Sequence, residues 1–328
     1  MRRTRGFAGA AIAALALLTA ALPARAQGDA WPSRPITIVA PFGPGSTPDA
    51  VARLLADHFK TAFGQNAVVE NRTGAGGNLG TQAVATAAPD GYTLGVSIAG
   101  PLAINTVLFP DLAYDPERDL AFISLVATQP SVIVVNPELG IASTDDLIER
   151  LKADPGGFNF ASIGVGSLSH LAMEALAEAS GTEMTHVPYN GSPQAVQALL
   201  GGEAQLGALP AGAVVPFGRS GELAMVAVSS AKRFSLLPDV PTLSEDGLAG
   251  VEADAWVGLI APAGTDPAIL ARIGDETRSF LATPQARAAL EAQFMEPAGS
   301  SAETFEAVVQ GDLDRWRPLI ERRGITLN

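Results

Sequence analysis

The chain contains no cysteine, so neither disulfides nor thiolate metal sites hold it together, and stability must come from the apolar core. Histidine is nearly as scarce: His58, His170 and His186 are the only three. No two stand at the spacing of a metal-ligand pair, so a zinc site would need them to converge by chance. Basic charge is short as well. Four of the 21 Lys and Arg residues fall in the first 26 positions, leaving 17 against 34 acidic side chains, a formal −17 for residues 27–328. Such a surface repels nucleic acid and anionic membrane. After the N-terminal segment no apolar run approaches the roughly 20 residues that span a bilayer, so direct membrane insertion is not expected.

What is present begins with export. Arg2, Arg3 and Arg5 precede an apolar run from Ala8 to Leu22, and Ala24–Ala26 supplies small residues for cleavage. This is the pattern of a signal peptide over residues 1–26, cleaved near Ala26. Arg2-Arg3 leaves a twin-arginine route open, but the full consensus is missing, so general secretion is the default. A hydrophobic fraction of 47% and a charged fraction of 17% describe a globular protein. A chain of this length carries two domains by default.

Strand, loop and helix then alternate. "ITIVAP" (Ile36–Pro41) reads as a buried strand, followed by Val51, Leu54, Leu55, Phe59, Ala62 and Phe63 at helical spacing up to Gly64. The order continues through "AVVE", a helix near Leu79–Ala88 and "YTLGVSI". A second unit holds the helix "DDLIERLKADPGG", the strands "FNFAS", "THVPY", "AQLGAL" and "LAMVAVSS", and helices between them. Helices near 267–281, 284–294 and 303–323 close the chain. Two long extended passages, "FISLVATQPSVIVVN" and the stretch from Asp239 to Pro262, flank the second unit. The expectation is an α/β protein with mostly parallel sheets, flanking helices and two interdomain crossovers: residues 27–126 with 254–328, and 127–253. Hinges are expected near Ser124–Thr128 and Glu252–Trp256.

Four strand-to-helix junctions share one chemistry: "GPGSTPD", "TGAGGN", "SIGVGSLSH" and "YNGSPQ". Each puts Gly and small hydroxyls at a helix start, where the first amides lack intrahelical partners and the dipole favours negative charge. In open α/β sheets these loops lie at the carboxyl ends of strands, where ligands bind. Any one such loop is ordinarily just a cap and a turn, but four together propose an anion site of neutral donors. Ser46 or Thr47 caps the first helix with Pro48 near its first helical position, and Thr47 is the better ligand donor. Asp49 is either a dipole partner or a ligand-orienting group. Arg72 reads first as a solvated arginine and second as a carboxylate partner.

Nucleotide and catalytic motifs fail. "GAGGNLG" has Leu79 where a dinucleotide fingerprint needs its last Gly, and no Gly-Lys-Ser/Thr occurs. "GVGSLSH" does not match G-x-S-x-G, leaving Ser167 or Ser169 with His170 or His186 as a remote nucleophile–base alternative. No cofactor and no metal are expected. Trp256, close to the second crossover, reads first as a core residue and second as one that lines the cleft, and Arg315–Gly324 reads as the solvated face of the last helix, with a docking surface second.

Ordered segments make the resemblance specific: "WPSRPITIVAPFGPG", "VVENRTGAGGNLGTQAVATAAPDGYTL", "LAYDPERDLAFISLVA", "NFASIGVGSLSHLA", "HVPYNGSPQAV", "LPDVPTLSEDG" and "GLIAPAGT". The chain resembles the substrate-binding proteins of tripartite tricarboxylate transporters, the Bug family, along nearly all of its length after residue 26. The resemblance implies a two-lobed, type II-like periplasmic binding protein that closes over a small carboxylate and delivers it to membrane permease subunits. It carries the ligand site onto Phe42, Gly43, Ser46, Thr47 and Asp49, then Ser162, Gly166, Ser167, Ser169 and His170, with Tyr189, Gly191 and Ser192 behind. Two departures subtract polarity: Pro48 replaces a common hydroxyl position, and Leu209-Pro210 replaces a segment that often holds Asp and a polar residue. They point to a ligand with an apolar or aromatic body. Competing readings are a ligand-binding partner of a membrane sensor and a periplasmic α/β hydrolase.

Overall fold

Ile36, Ile38, Val39 and Ala40 are buried on a strand that ends where Pro41 and Phe42 turn the chain toward the first helix. This β1 (Ile36–Ala40) opens a computed structural model that describes residues 31–327. The expected signal peptide lies outside the described residues. Helix α1 (Thr47–Phe63) buries Val51, Ala52, Leu55, Ala56 and Phe59 on one face and stops at Gly64 in the left-handed conformation. Then come β2 (Ala67–Asn71), α2 (Asn78–Ala85), β3 (Thr93–Ser97), the short helices α3 (Asn105–Leu108) and α4 (Pro116–Asp119), and the long strand β4 (Leu120–Gln129).

One residue, Pro130, separates β4 from β5 (Ser131–Val135), and there the chain passes from the first sheet to the second. The second lobe runs through α5 (Thr144–Ala153), β6 (Asn159–Ser162), α6 (Leu168–Ser180), β7 (Thr185–Pro188), α7 (Ser192–Leu200), β8 (Leu206–Pro210), α8 (Ala211–Ser220) and β9 (Ala224–Val228). The chain returns at β10 (Ala255–Pro262) and ends with α9 (Pro267–Leu281), α10 (Pro284–Glu291), β11 (Glu296–Pro297) and α11 (Ala302–Arg323). The crossover strands lie side by side, with Ala255 opposite Gln129 and Trp256 opposite Thr128. The first crossing therefore stands at Gln129–Ser131, a few residues beyond the expected hinge, and the second at Ala253–Ala255.

The first sheet has the order β11-β4-β10-β3-β1-β2 and the second β7-β6-β8-β5-β9. Both are mixed rather than mostly parallel. β1 is parallel to β2 and β3, and β6 to β7 and β8, while the pairings of β4, β5 and β10 are antiparallel. A crossover strand that runs straight out of one sheet into the next has no helix to turn it around, so it meets its neighbours head to tail. The parallel half of each sheet carries the loop-to-helix junctions that position the site.

Trp256 is 4% exposed, packs edge-on against Phe305 and donates from Nε1 to Asp312 at 2.7 Å, so it belongs to the core. Among the described residues no helix is long and apolar enough to cross a membrane.

Candidate functional site

The loop after β1 is built around a buried carboxylate. Asp49 is 3% exposed. Its Oδ2 accepts from the Gly45 amide at 2.9 Å and from Arg53 Nε at 3.0 Å, and its Oδ1 accepts from Asn71 Nδ2 at 2.8 Å. Asn71 also donates to the Phe42 carbonyl at 2.8 Å. Burial pushes the Asp49 pKa up, but hydrogen bonds from Arg53, the Gly45 amide and Asn71 outweigh it and hold the group below the ordinary carboxylate range. Both oxygens are thus spent on bracing the loop. Arg53, four residues on along α1, is the cation that completes this brace; the sequence reading missed it, although its i,i+4 spacing from Asp49 is the signal that could have found it.

Ser46 is the helix cap: its Oγ accepts from the Asp49 amide at 3.4 Å. Thr47 opens α1, half-buried, and among the described residues no hydrogen bond engages its hydroxyl or its amide. Pro48 is buried at the second helical position. Gly43 accepts from the Ser46 amide at 3.1 Å. The Phe42 ring packs against the neighbouring loop at Gly77, where an added Cβ would stand 3.0 Å from that ring and 2.8 Å from Pro101. Arg72 is exposed and donates to Glu70 at 2.8 Å, as a solvated arginine does.

In the second lobe the serine-rich loop closes on itself. Ser162 is fully buried; its Oγ accepts from the Gly164 amide at 3.2 Å and lies 2.7 Å from His186 Nε2. Ser169 Oγ accepts from the Ile163 amide at 2.9 Å and lies 2.9 Å from Ser167 Oγ. Ser167 donates to the Gly164 carbonyl at 2.6 Å and caps α6 by accepting from the His170 amide at 3.4 Å. His170, 4% exposed, accepts at Nδ1 from the Gly166 amide at 3.1 Å. What remains without a partner among the described residues is backbone: the amides of Leu168 and Ser169 in the first turn of α6. Gly166 is required here. Its φ is +72°, and a Cβ would overlap Leu108 Cδ1 from the first lobe.

Behind this loop the Tyr189 amide donates to the Ser162 carbonyl at 3.0 Å, and Gly191 precedes α7 with no side-chain cap. Ser192 opens α7, half-buried. The Tyr189 ring borders a depression of about 530 Å³ with Pro193, Gln194, Gln197, Ala198 and Glu203. Burial, with the Glu203 charge second, raises its hydroxyl above the usual tyrosine range.

Sequence spacing did not foresee that His170 and His186 stack, with ring centroids 3.7 Å apart and planes 7° from parallel. They meet because β6 and β7 pair with Phe160 opposite His186, which sets His186 beside the start of α6. Burial, and secondly the neighbouring His170, push His186 down to about 4. The serine on His186 is Ser162 rather than Ser167 or Ser169, and its hydroxyl is sealed in the loop. Leu209 is fully buried in the second-lobe core, so it does not make the cleft less polar.

The geometry combines helix starts that among the described residues carry unpaired amides on both lobes with a half-buried threonine hydroxyl, while Arg53 is spent on Asp49 and Arg72 on Glu70. Such a site holds an anion through neutral donors. Residues 51–325 match the family described as tripartite tricarboxylate transporter family receptor. The chain belongs to that family. Members of this receptor family are named as binding proteins, not enzymes. Protein BugT of Bordetella pertussis is 36% identical over 320 residues, covering 97% of this chain and 98% of BugT. Among solved structures, Rpa4515 of R. palustris with adipate is 32% identical with a TM-score of 0.82, covering 90% of this chain and 99% of that one. MatC of Rhodopseudomonas palustris with bound malate is 31% identical with a TM-score of 0.76, covering 88% and 99%.

Proposed function

We propose that this receptor captures a small carboxylate in the periplasm and delivers it to the membrane permease subunits of a tripartite transporter. Export by residues 1–26, the division of the lobes at 127 and 253, and cleft closure about the two crossovers are part of the same reading. The observation that carries it is the pair of helix starts, α1 and α6, with free backbone donors on opposite lobes. The adipate and malate held by two relatives agree with it. In this reading Thr47 and the amides of the Phe42–Gly43, Leu168–Ser169 and Gly191–Ser192 segments meet the carboxylate, with Gly166 setting the turn that presents them. Asp49, Ser46, Ser162, Ser167 and His170 hold those segments in shape, and Tyr189 flanks them.

The ligand has an apolar body. Leu79 at the first-lobe loops is 51% exposed and Val165 at the tip of the second-lobe loop 38%, and each is a large apolar side chain left uncovered on a binding-loop segment. Calorimetric titration of the ligand-free protein with adipate, benzoate, malate and citrate tests this. Binding of adipate or benzoate at least tenfold tighter than malate or citrate is expected. Tighter binding of the hydroxylated acids overturns the apolar body, and no heat from any acid overturns the carboxylate assignment.

A further inference from the structure

Helix α11 packs against β4 of the first lobe, yet its C-terminal turn reaches α6 of the second. Arg322 donates to Glu178 at 2.7 Å, and Arg323 donates from Nε to Glu174 at 2.5 Å. What the sequence suggested as a solvated basic face is therefore a seam between lobes. A third pair joins Arg315 on the same helix to Glu252, 3.7 Å apart, at the returning crossover.

Glu174 sits one turn along α6 from His170, with its side chain 11% exposed and an oxygen 3.6 Å from His170 Nε2. The other ring nitrogen accepts from the Gly166 amide. A nitrogen that accepts carries no proton, so the ring proton is on Nε2, where it points toward Glu174. Burial raises the Glu174 pKa, but the neighbouring His170 and the Arg323 guanidinium that donates to it pull it below the ordinary glutamate range, so a negative charge faces the Nε2 proton. A carboxylate behind a ring N–H fixes the tautomer and orientation of an imidazole in the way outer groups do at metal sites.

We infer that Glu174 and Arg323 are positioning residues for the second-lobe loop: Arg323 orients Glu174, Glu174 holds His170 in its Nε2–H tautomer, and His170 Nδ1 pins the Gly166 amide. The inference rests on the proposed ligand role of that loop. A continuous set of polar contacts then runs from the last helix of one lobe to the loop of the other. Movement that draws α11 away from α6 takes the guanidinium from Glu174 and releases the loop at Gly166. Ligand affinity and lobe position are thereby coupled through a buried group that touches no ligand.

Nitrogen-15 NMR of the histidine rings in the ligand-free full chain reads this directly, because three histidines give an assignable spectrum. The expected result is an Nε2-protonated His170 with a slowly exchanging Gly166 amide. In Glu174→Met and Arg323→Ala the tautomers mix and Gly166 exchange rises at least tenfold, whereas Arg323→Lys keeps the parent pattern. Arg315→Ala, which breaks a different contact of the same helix, changes neither signal. An unaltered tautomer and a protected Gly166 in folded Glu174→Met overturn the inference, as does an equal effect from Arg315→Ala. Glu174→Met also decides the matter where Arg323→Ala fails to fold. The readout needs no ligand, so its failure is separate from failure of the carboxylate assignment.

Discussion

Asp254 stands where the chain returns to the first lobe, immediately before β10, with Oδ1 sealed from solvent and no hydrogen-bond partner. Burial pushes its pKa up to about 6; Ser230 and Arg315 oppose the shift, and the nearby Glu296 and Asp312 charges add to it. A carboxyl raised in the folded state contributes its full stability below its unfolded pKa of 3.8 and loses it as pH rises through 6. The gap of about two pH units corresponds to about 3 kcal/mol at neutral pH. Replacing Asp254 by Asn removes the ionisation and lets the amide nitrogen face Ser230. The gain expected at pH 7 is about 1–3 kcal/mol, the lower end reflecting the lost attraction to Arg315.

His186 works in the opposite sense. Its pKa is depressed to about 4, so its contribution is complete above the ordinary histidine value of 6.5 and is lost as pH falls toward 4. In the parent protein these two contributions have opposite slopes between about pH 4 and 6 and partly offset each other there. Asp254→Asn unmasks the histidine, so its stability falls on acidification below about 6.5. Denaturant unfolding at pH 4.5, 5.5 and 7.0, followed by tryptophan fluorescence, tests both halves. A variant no more stable than the parent at pH 7, or one with an equal gain at pH 4.5, refutes the reasoning.

Gly166→Ala forces a side chain into left-handed backbone and against Leu108, so a loss of about 1–3 kcal/mol is expected. Adding Leu108→Ala should recover the steric part, which a melting-temperature series would resolve. Asp49→Ala strips the Gly45 amide, Arg53 and Asn71 of their shared acceptor. A cost of about 2–3 kcal/mol is expected, with weaker carboxylate binding even though the proposed function gives Asp49 a bracing role and no ligand contact; unchanged calorimetric affinity would count against that role. Thr47→Val keeps the shape of α1 and removes one free hydroxyl, so affinity should fall roughly tenfold, about 1.4 kcal/mol, with the melting temperature unmoved.

How far a sequence can be read depends on how local the cause is. Helix α1 declared itself through Val51, Leu55 and Phe59 and through Gly64, all within one element. Strand direction did not, because β5 and β10 are nearly unbroken apolar runs that look the same parallel or antiparallel. Leu209 belonged to such a run too, and its burial depended on the sheet rather than on the loop it borders. The cationic face of α11 looked solvated because its acidic partners lie 144 and 149 residues away. At the site the difficulty is chemical. A serine that caps a helix and a serine that holds a ligand are the same residue at the same place. In the second lobe Ser162, Ser167 and Ser169 all turned inward to shape their own loop, and Asp49 did so in the first. The donors left over are mostly amides, which every sequence possesses. Under the proposed function, recognition of the carboxylate then rests on backbone shape that many sequences can build, and discrimination among carboxylates falls to the few side chains at the rim, Leu79 and Val165 among them.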